Sequence, residues 1–484
     1  MNKEMDSHEV IKVVRRIEKE LSLWKYYDAF KGKSIVNAIY IIYLKYLIDN
    51  DNTDTENNLF SYIHETLRDN KEIDNSVLTN YIQKRVIVES ENMNIFWQYT
   101  QRIDFSKLPK DFEEVLYLID MLDFSISENR KNITYALLMI VSSLYGMHTF
   151  KGGVYENDIN LITGAVEILE PDDNLEYYDF SCGAGALLAI SATTGSKIYA
   201  EEPDFEKAVV AYVILKITGV NDLDIVVGDV LQTPMTLRFP EKLFDRIISA
   251  PQLVDKEVSS QKINSSDCAQ EFLYGDSLAD SGMWIYARHI IKKLKQDGKG
   301  ILIVPISILS REGATKEDRV RIAERGSIEA IIQLPNGIAT VAVRLCIIVL
   351  RKGTDISNVN QKIQIVDLSG QKGSRYIRCE DKNTLTGYID YKKLASIVLN
   401  KQEIDGISKI ISLSDLDGEN MNLTPAVYLR DINELMMQRE NTVDILEKQK
   451  EFINMYHSSE KELDNAILNY YTLWGEKYKK EEHL

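Results

Sequence analysis

Tyr177-Tyr178-Asp179-Phe180-Ser181-Cys182-Gly183-Ala184-Gly185-Ala186-Leu187-Leu188-Ala189-Ile190 decides the fold class of this chain. A short apolar run ends in an acid, two glycines follow, and an apolar run at helical spacing begins at once. Gly183 and Gly185 permit a tight turn without a Cβ clash and let backbone approach a ligand. The helix that opens near Ala186 presents free N–H groups at its start. A ligand at such a turn lies outside the carboxyl end of a strand, where open α/β sheets bind. A dinucleotide fingerprint would need a small residue at 188, where Leu188 stands. Asp179, just before the turn, would repel a pyrophosphate but accept from an ammonium. The plain alternative is a tight strand-to-helix turn that binds nothing.

Working outward, short apolar strands alternate with helices. Strands are predicted at 176–180, 197–201, 224–227, 244–249, 300–305, 328–334 and 343–350, and helices at 186–194, 205–218, 278–296 and 316–324. This alternation predicts a mostly parallel sheet covered on both faces, seven-stranded and doubly wound. Weaker strand signals follow around 362–367. Two further acids follow predicted strands. Glu202 comes about twenty residues after the glycines, where a ribose is usually held, and its neighbour Glu201 competes for that role. Asp229 follows the third strand and could accept from an adenine amino group. Acids at the ends of three successive strands are harder to dismiss than one.

Upstream, residues 8–145 read as helical. Ile35, Ala38, Ile39, Ile42, Tyr43 and Tyr46 fall at helical spacing with apolar residues on nearly every side. Asn37 and Lys45 interrupt this run, which is too short for a bilayer span and reads as a buried helix. Residues 431–474 carry an amphipathic stripe fit to dock on the same chain or on a partner. The division expected is 1–145 as an N-terminal helical domain, 146–405 as the sheet domain and 406–484 as a C-terminal segment with partner-docking helices. A chain of 484 residues is long enough for two or three cores.

Net charge is −17, so unaided grip on nucleic acid would need a local basic patch or a partner. Cysteines at 182, 268, 346 and 379 show no metal-site spacing and suit a reducing compartment, hence a cytoplasmic location. No signal peptide is expected from MNKEMDSHEV, no membrane association is expected, and the six histidines form no metal motif.

The motifs together resemble the modification (M) subunit of type I restriction–modification systems, within the adenine-N6 DNA methyltransferases. DFSCGAGALL (179–188) resembles that family's Asp-Pro-x-Cys-Gly-Ser-Gly-Gly-Phe-Leu, with Phe180 in place of proline. IYAEEPD (198–204) resembles its Gly-Gln-Glu segment, VVGDVL (226–231) its Gly-Asp-x-Leu, and GGVYEND (152–158) its Gly-x-Phe-Tyr-Thr-Pro. The runs 21–49, 298–313, 328–353 and 421–429 resemble its N-terminal helices, its late strands and its Asn-Leu-x-Pro-x-x-Tyr segment. The resemblance implies a Rossmann-like methyltransferase sheet that takes S-adenosylmethionine through Tyr155, Asp179, Cys182, Gly183, Gly185, Glu202 and Asp229. It also implies DNA, a specificity subunit and a second methylase or restriction subunit as partners.

The family's target-base signature is Asn-Pro-Pro-Phe or Asn-Pro-Pro-Tyr. The Asn oxygen and a backbone carbonyl hold the adenine amino group, and the ring stacks on the flipped-out base. Here the matching run reads Ala250-Pro251-Gln252-Leu253. Alanine accepts no hydrogen bond and leucine offers no ring face. The expectation is a methylase-type subunit impaired in catalysis. The alternative is a non-catalytic paralogue that clamps DNA or regulates an active subunit.

Overall fold

The computed structural model describes most of residues 159–429, together with helical pieces between 9 and 141. Residues 1–428 form one compact unit, and 429–484 form a second that lies almost wholly outside the described residues.

Nine strands make the main sheet: β1 Glu176–Asp179, β2 Lys197–Glu202, β3 Asp222–Val227, β4 Phe244–Ser249, β5 Leu294–Pro305, β6 Ile328–Gln333, β7 Leu345–Arg351, β8 Lys362–Asp367 and β11 Ser408–Ser412. A two-stranded ribbon, β9 Arg378–Cys379 with β10 Tyr388–Ile389, stands apart. The order across the sheet is β11-β8-β6-β7-β5-β4-β1-β2-β3. β1 to β5 run parallel, while β7 is antiparallel to both β5 and β6. This is a Rossmann-like methyltransferase arrangement, with the seven expected strands side by side. It is mixed rather than simply parallel, and two strands wider. β8 adds parallel to β6, and β11 closes that edge antiparallel to β8.

Each strand follows from local chemistry. β7, Leu345-Cys346-Ile347-Ile348-Val349-Leu350, is buried on both faces, as a continuous apolar run demands in a covered sheet. Gly300 in β5 lets the helix Trp284–Lys293 sit close, because a Cβ there would fall 2.3 Å from Ile290 Cγ2. The helix Phe205–Thr218 has its ends set by Asp204, whose side chain accepts from Glu206 N and Lys207 N, and by Gly219 at φ 103°.

That helix is apolar nearly all round because it is covered twice. One side packs on β2 and β3, and the other meets the helix Lys33–Asp49 and the short helix Ile95–Thr100. Tyr212 stacks with Phe96 at 6.0 Å and meets Tyr43 edge-on at 5.9 Å. The N-terminal helical region therefore rests on the first half of the sheet through one aromatic seam, and its buried residues belong to the same core. Among the described residues no helix is long and apolar enough to cross a membrane.

Candidate active site at the carboxyl edge

β1, β2 and β3 are neighbours, so their carboxyl ends lie side by side, and each is followed by a turn. Asp179 ends β1, Glu202 ends β2, and Asp229 comes two residues after β3. Asp179 pairs in register with Ala200, which puts Asp179, Ala200 and Glu202 on one face of the pleat.

The glycine turn is pinned at both ends. Cys182 N donates to the Glu201 carbonyl at 2.9 Å, and Gly183 N donates to Glu202 Oε2 at 2.9 Å. The other Glu202 oxygen accepts from Asp204 N at 3.0 Å. Gly183 and Gly185 have φ of 54° and 84°, a region that side chains disfavour. Gly185 caps the helix Ala186–Ser191 and lies against the helix Phe205–Thr218, where a Cβ would come within 3.0 Å of Ala211 Cβ. Asp229 is half-buried, and its Oδ1 accepts from Leu231 N at 3.0 Å. Cys182 is buried, with its Sγ 3.7 Å from the Gly183 carbonyl oxygen. Tyr155 lies outside the described residues.

Glu201 and Glu202 separate cleanly, because alternate residues of a strand face opposite sides. Glu202 holds the turn. Glu201 points into a buried polar chain, where its Oε1 accepts from the Tyr178 hydroxyl. That hydroxyl lies 3.1 Å from His289 Nε2, and His289 Nδ1 lies 3.4 Å from the Glu271 carbonyl oxygen. Glu271 Oε2 takes Thr236 Oγ1 at 2.5 Å and Lys293 Nζ at 2.8 Å. Burial pushes the Glu201 carboxyl up to about 8, against the help of Tyr178, and pulls the His289 imidazole down to about 4. Burial also raises Glu271, but hydrogen bonds from Lys293 and Thr236 outweigh it and leave that carboxyl below its ordinary value.

β4 ends at Ser249, followed by half-buried Ala250 and buried Pro251; Gln252 and Leu253 lie outside the described residues. Two residues that the motif reading did not single out tie the end of β4 to the glycine turn. Ser249 Oγ donates to Asp179 Oδ1 at 2.7 Å, and Ser181 Oγ lies 2.6 Å from Ser249 Oγ. Lone serines carry no pattern, so only their positions beside a strand-end acid and a motif could have pointed to them. Phe180 is a packing group. It stacks on Tyr286 at 5.4 Å and meets His289 edge-on. Among the described residues no cluster of His, Cys, Asp or Glu could hold a metal.

The family model for N-6 DNA methylase matches residues 149–435, more than half of the chain and all of the edge just described. The chain belongs to the N-6 DNA methylase family. This family member is 22% identical over 369 residues to the methylase subunit of the type I restriction enzyme MjaVII from Methanocaldococcus jannaschii, a match covering 73% of this chain and 62% of that subunit. It is also 22% identical over 369 residues to the MpnII methylase subunit of Mycoplasma pneumoniae, covering 70% of this chain and 66% of the relative. The chain thus spans a little under two thirds of these relatives' length. Among solved structures, the type I restriction-modification methyltransferase subunit from Streptococcus thermophilus superposes with a TM-score of 0.69 at 17% identity, over 88% of this chain and 100% of that one. A putative type I modification subunit from Vibrio vulnificus gives 0.60 at 12% identity, over 86% and 94% respectively. These likenesses carry the methylase fold.

Proposed function

We propose that this N-6 DNA methylase family member is a modification-subunit-like protein of a type I restriction–modification system, holding S-adenosylmethionine but impaired in methyl transfer. The observation that carries the reading is the set of three carboxylates, Asp179, Glu202 and Asp229, at the tips of three adjacent parallel strands around a two-glycine turn. These three acceptors suit the hydrogen-bond donors of the cofactor. Asp179 would accept from its ammonium, Glu202 from ribose hydroxyls, and Asp229 from the adenine amino group, with Tyr155 and the Gly183–Gly185 backbone completing the contact. When bound, the group supplies an electrophilic methyl. The chain's own residues must then hold the acceptor base in line.

That second task is where the chain departs from its family. Ala250 has no oxygen to accept from an adenine amino group, and Leu253 has no ring face; base–aromatic stacking alone is worth ~1–3 kcal/mol. Misplacement of a reacting atom by about 1 Å can cost on the order of a hundredfold in rate. Pro251 fixes its own φ, and Gln252 carries an amide two positions late. A second reading is favoured by the same Ala250: a non-catalytic paralogue that clamps DNA or regulates an active subunit. In both readings a specificity subunit does the sequence reading, which suits a chain of net charge −17, with a second methylase or restriction subunit as further partner. The division at about 145 and 405, partner docking through 406–484 and a cytoplasmic location belong to the same proposal.

Two measurements test it. Calorimetric titration with S-adenosylmethionine is expected to show binding; none at millimolar ligand would remove the cofactor site. A methyl-transfer assay on DNA with a specificity partner should find the parent slow or silent. The triple variant Ala250→Asn, Gln252→Pro, Leu253→Phe should gain activity. Transfer by the parent as fast as by that variant would sink the claim of impairment.

A further inference from the structure

We propose that Ser249 is a positioning residue that couples the acid for the cofactor's ammonium, Asp179, to the target-base loop; this rests on the cofactor reading above. Both residues are fully buried and each closes a strand, β1 and β4, which run side by side. Their contact spans 70 positions of sequence and joins the carboxyl end of β1 to that of β4.

The protons in this cluster have one consistent arrangement. A carboxylate only accepts, so the Ser249 hydroxyl hydrogen goes to Asp179 Oδ1. Having spent its single hydrogen, Ser249 can meet Ser181 only as an acceptor, so the Ser181 hydroxyl donates to it across 2.6 Å. Asp179 Oδ1 also takes the Ser181 backbone N–H at 2.9 Å. Donors from the glycine turn and from the end of β4 thus converge on one oxygen and set the direction of the carboxylate.

The next residue after Ser249 is Ala250, and the one after that is Pro251, whose ring removes most freedom from the backbone. A displacement of the Ser249 hydroxyl by about 1 Å would stretch its 2.7 Å hydrogen bond beyond useful length. Asp179 is therefore tied, through the Ser249 hydroxyl, to the point where the base loop starts at Ala250 and Pro251. By linkage the coupling is reciprocal. It survives the loss of the family's Asn, because it is built from the residue before that position.

The test is calorimetry on the full chain with two ligands, S-adenosylhomocysteine and 5′-methylthioadenosine, which lacks the amino-acid end. Ser249→Ala should weaken S-adenosylhomocysteine on the order of tenfold, as expected for loss of a hydrogen bond to a charged group. It should leave 5′-methylthioadenosine within about twofold, and Ser249→Thr, which keeps the hydroxyl, should restore the parent affinity. Pro251→Ala should shift S-adenosylhomocysteine affinity in the parent but not in the Ser249→Ala background. Equal weakening of both ligands, or additive effects of the two substitutions, would overturn the coupling while leaving the cofactor site in place. A parent that binds neither ligand overturns the cofactor reading and the coupling with it. Melting temperature, followed alongside, separates both results from misfolding.

Discussion

Gly185 is constrained both by its backbone and by its neighbours. Its φ of 84° is a conformation that L side chains rarely adopt, and the space a Cβ would need is taken by Ala211 on the Phe205–Thr218 helix. Gly185→Ala should therefore cost ~1–2 kcal/mol from the left-handed backbone, plus a term for pushing the helix away. Chemical denaturation will show it, and cofactor affinity should fall as the turn opens. An alanine variant as stable as the parent would mean that the turn is not strained. Gly183 and Gly185 were legible because glycine pairs at strand ends have few other uses. The choice between Glu201 and Glu202 was not. Adjacent acids look alike in sequence, and only the pleat sends one to the glycine turn and the other to Tyr178.

At the scale of elements, legibility followed end signals. The helix Phe205–Thr218 and β4 Phe244–Ser249 have the predicted ends, and the helix is bracketed by a capping Asp and a glycine stop. β11, Ser408–Ser412, escaped because it is short, half polar and at the sheet edge, where pairing with β8 supplies what side-chain pattern does not. The buried chain between β1, β2 and the helix Trp284–Lys293 makes a prediction at this scale. Folded His289, held near 4 instead of 6.5, binds fewer protons than the unfolded chain, so stability rises with pH across that window. Folded Glu201, held near 8 instead of 4.5, binds more protons, so its contribution falls as pH rises from 4.5 to about 8. The two oppose each other up to 6.5, and Glu201 acts alone from there to about 8. Melting temperature should accordingly decline between pH 6.5 and 8, and Glu201→Gln should flatten that decline. A decline that persists unchanged in the glutamine variant would assign it to other groups.

Over the whole molecule, the N-terminal helices and the sheet behave as parts of one core. Tyr40, Tyr43, Phe96 and Tyr212 form a continuous aromatic contact, and removing the helices would strip the outer face of the Phe205–Thr218 helix. A chain lacking residues 1–145 is expected to aggregate or to melt many degrees lower, and Tyr212→Ala in the full chain should cost ~3–5 kcal/mol. Two unfolding transitions, with the sheet's unchanged by truncation, would contradict this. Sequence alone determined the class of fold, the glycine turn and the acids at the strand ends. Each depends on residue type and spacing along the chain, which pattern and local sterics express directly. Tertiary structure decided which of two glutamates serves the turn, where β11 pairs, that Phe180 packs on Tyr286, and that Ser249 reaches Asp179. Those outcomes depend on which strands become neighbours, and contacts between residues tens of positions apart leave no local trace in the chain that makes them.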